Sequence, residues 1–254
     1  MDRQMVYLDG KLPSGKSNFM KWSYRIARIS GIDIRIHVTF LLLLAYFGIT
    51  DWREGGSVAA VQGLTFTLLL FLCVLLHEFG HAMAGRHYGI RTPDITLLPI
   101  GGVARLEKIP DNPWQEFVIA IAGPAVNVGI ATILSGILWL AGTAIQAASP
   151  DARLLMQNLL LVNGALVLFN LIPAFPMDGG RILRSLLGIW LDHLAATKIA
   201  ARTGQVIAVL FVGAGLFYNP MLFLIGLFVF NAARQELAET AYRAEMESLY
   251  KNRD

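Results

Sequence analysis

The chain has 254 residues, 55% of them hydrophobic and only 15% charged, with a formal net charge of +3, whereas soluble domains carry about 25% charged residues. This excludes a disordered chain and argues against a soluble globule, so a polytopic membrane protein is the leading class. The basic excess is then read through its placement and not as a sign of nucleic acid, and the single cysteine, Cys73, excludes an internal disulfide or a cysteine-based metal knuckle.

Residues 1–33 mix Asp2, Lys11, Pro13, Lys16, Lys21, Arg25 and Arg28 without a long apolar run. They read as a polar cytosolic arm with no secretory signal, and Met20 is an alternative start. A membrane span needs about 20 mainly apolar residues in helical form, because backbone groups facing lipid must be satisfied within their own segment. Six such spans are expected, at 34–49, 58–85, 117–145, 154–172 with a broken continuation, 205–218 and 220–233, the last pair turning at Asn219-Pro220. The expectation is an all-α integral membrane protein with six transmembrane helices over 34–235, followed by a cytosolic tail at 236–254. With the N-terminus inside, all of the 21 Lys and Arg residues except Arg53 and Arg153 fall on the cytosolic side. A wrong span count would scramble that asymmetry, which places both termini in the cytosol.

The second span ends in His77-Glu78-Phe79-Gly80-His81. On a helix, His77 and His81 lie on one face where two imidazoles reach one metal, and Glu78 between them can act as general base. Surface helices often carry such residues innocently, but this motif follows the apolar run 68–76, where ionisable groups are costly unless paired or coordinated. A catalytic zinc usually keeps three protein ligands and an open position. The best third candidate is Asp178, in Asn170-Leu-Ile-Pro173-Ala-Phe-Pro176-Met-Asp178-Gly-Gly-Arg181. Its two prolines forbid a regular helix, and irregular backbone at membrane depth is tolerated only where it is buried in protein or lines a cavity. An ordinary turn or helix cap is the plainer reading of Asp-Gly-Gly by itself.

Together with Ile100-Gly-Gly-Val and Ala122-Gly-Pro-Ala-Val-Asn127, these motifs resemble, in order, the site-2 protease family of intramembrane zinc metalloproteases, over roughly residues 21–235. The resemblance implies Zn2+ held by His77, His81 and Asp178, water activated by Glu78, and a substrate-orienting or oxyanion role for Asn170. It implies a membrane-protein substrate cut in or near a transmembrane segment, in a prokaryotic plasma membrane. Many prokaryotic relatives carry a CBS pair or a PDZ insertion, and neither is expected in this chain. The resemblance also suggests a short membrane-associated β-hairpin at 95–105, where Pro99 and Gly101-Gly102 disfavour a helix. Its edge could hold a substrate extended, with the Val103 N–H as one donor.

Cys73 lies one turn before His77, but a buried thiol packing as a small hydrophobe is the simpler reading. His37 reads as interfacial, His87 and His193 as solvated, and Asn127 and Asn163 as partners in interhelical hydrogen bonds that could also orient a ligand. The alternative from another class is a metal or ion transporter using the same His and Asp residues.

Overall fold

Long apolar helices dominate the structure, a computed structural model that describes residues 22–251 apart from 109 and 111. Met20 and residues 1–21 of the expected arm lie outside the described residues. The helices are α1 (Val38–His87), α2 (Pro113–Ala148), α3 (Pro150–Asn170), α4 (Asp178–Leu187), α5 (His193–Phe217) and α6 (Pro220–Lys251). All but α4 are long and apolar enough to cross a membrane.

A straight helix of 50 residues would extend about 75 Å, far more than a hydrocarbon core of roughly 30 Å. α1 is not straight. Its backbone leaves helical geometry at Gly55 and Gly56, the latter at φ +70°, a conformation that a side chain disfavours. Phe40 meets Phe71 edge-on with centroids 4.5 Å apart, Gly48 packs on Leu64, and Asp51 lies against Gly63. These pairs converge on the glycines, so α1 is a hairpin of two antiparallel helical arms.

The sheet is larger than the single hairpin expected. Strands β1 (Ser23–Ile29), β2 (Ile32–His37), β3 (Asp94–Leu98) and β4 (Gly101–Ala104) lie side by side in that order. The outer pairs are antiparallel and β2–β3 is parallel. The first helix therefore starts at Val38 and not at 34. Ile32, Ile34 and Ile36 alternate with Asp33, Arg35 and His37, a period-two pattern that belongs to a half-buried strand. That apolar face packs on α1: Ile32 joins Ala82 and Ile95, while Ile36 covers Phe40, Phe71 and Leu97. His37 closes β2 and caps α1, accepting from the Thr39 N–H at 3.3 Å.

The break after α3 is where the prolines predicted it, and a short helix, α4, then begins at Asp178. α5 starts earlier than expected, with Asp192 capping it through the Ala195 N–H at 2.8 Å. α6 runs through to Lys251, so the described part of the expected tail is helical. Arg184 on α4, placed by charge counting among the cytosolic basic residues, is only 1% exposed. Glu116 of α2 accepts from its Nε and Nη2 at 2.9 and 2.5 Å, Glu236 of α6 accepts from Nη1, and the Phe175 ring lies beneath it at 5.0 Å. This buried ion triad ties α2, α4 and α6 together just beyond Asp178.

Candidate metal centre

The site is built where three helical elements meet under the sheet. His77 and His81 are one turn apart on the inward arm of α1 and both are buried. α2 crosses them at Gly123, where even a Cβ would overlap both Nε2 atoms. The missing side chain lets the α2 backbone lie directly against the imidazoles. α4 then delivers Asp178, also buried, from the far side.

The distances are 3.1 Å between the two Nε2 atoms, 3.1 Å from His77 Nε2 to Asp178 Oδ2, and 3.2 Å from His81 Nε2 to Asp178 Oδ1. The carboxylate thus presents one oxygen to each imidazole. Among the described residues these three form the one group of His, Cys, Asp or Glu donors close enough to share a metal ion.

Whether they fit a metal depends on the protons. His81 Nδ1 is 2.7 Å from the Ile119 carbonyl, which can only accept, so Nδ1 carries the hydrogen and Nε2 presents a lone pair. His77 Nδ1 is 2.5 Å from Asn127 Oδ1, which has the same effect. With both imidazoles neutral, two lone pairs and a carboxylate therefore converge with no hydrogen between them. A tetrahedral zinc with bonds of roughly 2.0–2.2 Å holds its donors about 3.3 Å apart, close to the separations found. The donor set fits zinc, and the Nδ1 partners supply the outer support that metal-bound imidazoles usually have.

Glu78 is not part of this donor group. It points to the neighbouring side of α1, where its Oε2 accepts from the Ala104 N–H of β4 at 3.2 Å. A cavity of about 350 Å³ opens there, lined by His77, Glu78, His81, Asp178, Asn170, Arg181, Phe228 and β4. Asn170, the last residue of α3, lines it with no hydrogen-bond partner for its amide among the described residues. All five site residues expected from sequence are thus brought to one cavity. A larger hollow of about 620 Å³ lies between the β1–β2 turn and the end of α1, but among the described residues no metal donor group faces it.

Cys73 is buried and stays outside the donor group, 3.4 Å from the Asn163 Nδ2. His87 stacks edge-on with Tyr88, and His193 is the first residue of α5. Sequence reasoning missed Glu116 and Glu236 as the anchors of α4, since isolated glutamates in polar segments carry no distinguishing signal.

An apolar helical shell around a buried His-His-Asp centre, with a glutamate one position along from the first histidine, defines a membrane protein of the metallopeptidase type. The chain belongs to peptidase family M50, whose model matches residues 65–148 and 134–212. A zinc metalloprotease of Methanocaldococcus jannaschii is 39% identical over 235 residues, covering 92% of this chain and 65% of the relative. Stage IV sporulation protein FB of Bacillus subtilis is 29% identical over 192 residues, covering 74% and 60%. The solved structure of the site-2 protease from Methanocaldococcus jannaschii matches with a TM-score of 0.57 and 36% identity, over 85% of this chain and 95% of that one. The chain thus spans just under two thirds of the length of these two curated relatives.

Asp178→Ala and His81→Ala are each expected to lower bound zinc, measured by atomic emission on the purified protein, from about one ion per chain to well below it. Cys73→Ala is expected to leave it unchanged. Full occupancy in Asp178→Ala would require a different third ligand.

Proposed function

We propose that this protein is an intramembrane zinc metalloendopeptidase that hydrolyses a peptide bond in or near a transmembrane segment of another membrane protein, the chemistry of regulated intramembrane proteolysis. The observation that carries this reading is the buried His77–His81–Asp178 group with Glu78 beside it on an accessible cavity. The peptidase family and the zinc metalloprotease relative favour it over a metal or ion transporter built on the same residues.

His77, His81 and Asp178 would hold the metal. Bound there, zinc supplies Lewis-acid polarisation of the scissile carbonyl and a lowered pKa for its water. Glu78 takes the proton of the attacking water and passes it to the leaving amine. Asn170 donates its free amide N–H to the oxygen on which negative charge develops.

A helical substrate hides its carbonyls in internal hydrogen bonds, so the scissile stretch must first be held extended. The outer edge of β4 suits this task. Arg105 N–H donates to the Asp94 carbonyl of β3 at 3.1 Å, and donors alternate along a strand. Val103 N–H therefore faces β3, contrary to the expectation that it lies on the free edge. Gly102 and Ala104 face the other way, and the Ala104 N–H is taken by Glu78, so Gly102 offers the free backbone group. The proposed substrate strand adds alongside Gly102.

The two arms of α1, with α2, α3, α5 and α6, make six apolar segments, which supports six spans with both termini cytosolic. The proposed division is a membrane metalloprotease domain that starts at β1, earlier than the expected 34 because β1 and β2 share the sheet packed on α1, and runs to 235 between cytosolic ends, in a prokaryotic plasma membrane. The working partners are the lipid bilayer and a membrane-protein substrate, with no nucleic acid.

In a reconstituted cleavage assay, Glu78→Gln is expected to retain zinc and lose turnover by at least about 100-fold, because the base is removed and the ligands remain. Near-normal cleavage by this variant would sink the proposed role. N-methylation of the substrate backbone at alternate positions around the cut is expected to depress cleavage, with the intervening positions tolerated; uniform tolerance would rule out strand addition. Reporter fusions after Gly56 and Ala148 are expected on the outer side and after Thr197 in the cytosol. A cytosolic signal at Ala148 contradicts six spans.

A further inference from the structure

Two asparagines, Asn127 on α2 and Asn163 on α3, are both 0% exposed in apolar helices. Buried amides are costly without partners, and here every partner is identified. Asn163 Nδ2 donates to the Leu159 carbonyl at 2.8 Å and reaches Cys73 Sγ at 3.4 Å. Asn127 Nδ2 donates to Asn163 Oδ1 at 2.8 Å, and Asn127 Oδ1 lies 2.5 Å from His77 Nδ1.

The order of these bonds has a direction that one atom sets. The Leu159 carbonyl can only accept, so it holds the NH2 end of Asn163 toward itself and the oxygen end toward Asn127. That oxygen in turn draws the NH2 end of Asn127, which leaves the Asn127 oxygen for His77. An oxygen at that place requires the His77 hydrogen on Nδ1. The lone pair is then on Nε2, the atom facing Asp178 and His81.

We propose that Asn163 is a positioning residue: acting through Asn127, it selects the His77 tautomer that can bind the metal. Its hydrogen bonds go to Asn127, Leu159 and Cys73, and it does not line the cavity. Without it, the Asn127 amide has no acceptor to choose its orientation and turns freely. In the flipped orientation its NH2 faces His77 Nδ1, the hydrogen moves to Nε2, and the ligand atom is blocked. This inference rests on His77 being a metal ligand, although the tautomer itself is fixed in the metal-free protein.

The test is a double-mutant cycle built on the symmetry of a carboxylate. Asn127→Asp puts an acceptor before His77 whichever way the group turns, so it has no orientation to lose. Asn163→Leu in the otherwise native protein is expected to weaken zinc binding by about 10- to 100-fold, the usual range for loss of outer support, measured by competition with a chromophoric chelator. In the Asn127→Asp background the same change is expected not to weaken binding, since the carboxylate presents an acceptor to His77 either way and the leucine only removes the oxygen–oxygen contact that the aspartate makes with Asn163 Oδ1. Equal weakening in both would mean that Asn163 merely packs α3 and overturns the proposal; no weakening in either also overturns it. Asn163→Val serves as the shorter replacement if the leucine variant does not fold.

A second readout uses no metal. Nitrogen-15 spectra of histidine-labelled, zinc-free protein, recorded at a pH high enough for His77 to be neutral, are expected to report its Nδ1–H tautomer alone, and a mixture of tautomers in Asn163→Leu. A single Nδ1–H form in that variant would overturn the relay. Failure of the metal reading would appear separately, as unchanged zinc content in His77→Ala.

Discussion

Two imidazole nitrogens and a carboxylate share a space about three ångströms across inside an apolar helical assembly. Such a convergence of lone pairs is untenable in a low-dielectric interior unless a cation or protons lie among them. Both Nδ1 atoms are committed to acceptors, so each neutral imidazole turns its lone pair inward, where a metal ion, or in its absence a proton shared with the carboxylate, relieves the repulsion. Everything else in the fold can be read as the means of keeping these three groups together and oriented that way.

The means differ for each of the three groups. The histidines depend on helical periodicity within one arm of α1 and on the close passage of α2 at Gly123. Asp178 depends on a break in regular structure after α3, and then on the anchoring of α4 by Arg184. An uncompensated charge at Arg184 would be expensive where it lies, and two glutamates from α2 and α6 compensate it. α2 therefore supports both halves of the site: Gly123 and Asn127 face the histidines, and Glu116 holds the helix that starts with the aspartate. The cavity beside them is bounded by β4, which brings backbone groups to a place where helices alone would offer none.

The parts of this arrangement legible in the sequence were those with a local period or a strong breaker. His77 and His81 at a spacing of four, Pro173 and Pro176, and the glycine pair at 101–102 each announced a helix face, a break or a turn. The apolar runs gave the helical arms, including both arms of α1, because a hairpin of helices has the same composition as two separate helices. β1 escaped because arginines at 25 and 28 interrupt its apolar residues, so that an exposed edge strand read as a polar arm. β2 escaped because its isoleucines run directly into the apolar helix that follows, and a short β-branched run beside a long one has no visible boundary. The burial of Arg184 was illegible for a different reason: only tertiary structure brings Glu116 and Glu236 to it. Likewise, Asn127 and His77 are 50 residues apart, a separation at which no single-sequence pattern operates.

Space, as well as chemistry, limits variation around this centre. Two of its closest contacts are made by residues that contribute no side chain at all: Gly123, against both imidazoles, and Gly102, where a Cβ would come within 2.6 Å of Glu78 Cγ. The neighbours they would strike are His77, His81 and Glu78 themselves, each already hydrogen-bonded in its present position. A single added methyl at either position therefore damages the centre by displacement, while every polar residue remains in place. Tolerance to substitution around this centre follows free volume as much as chemical identity, and alanine, the mildest replacement elsewhere, is a severe one here.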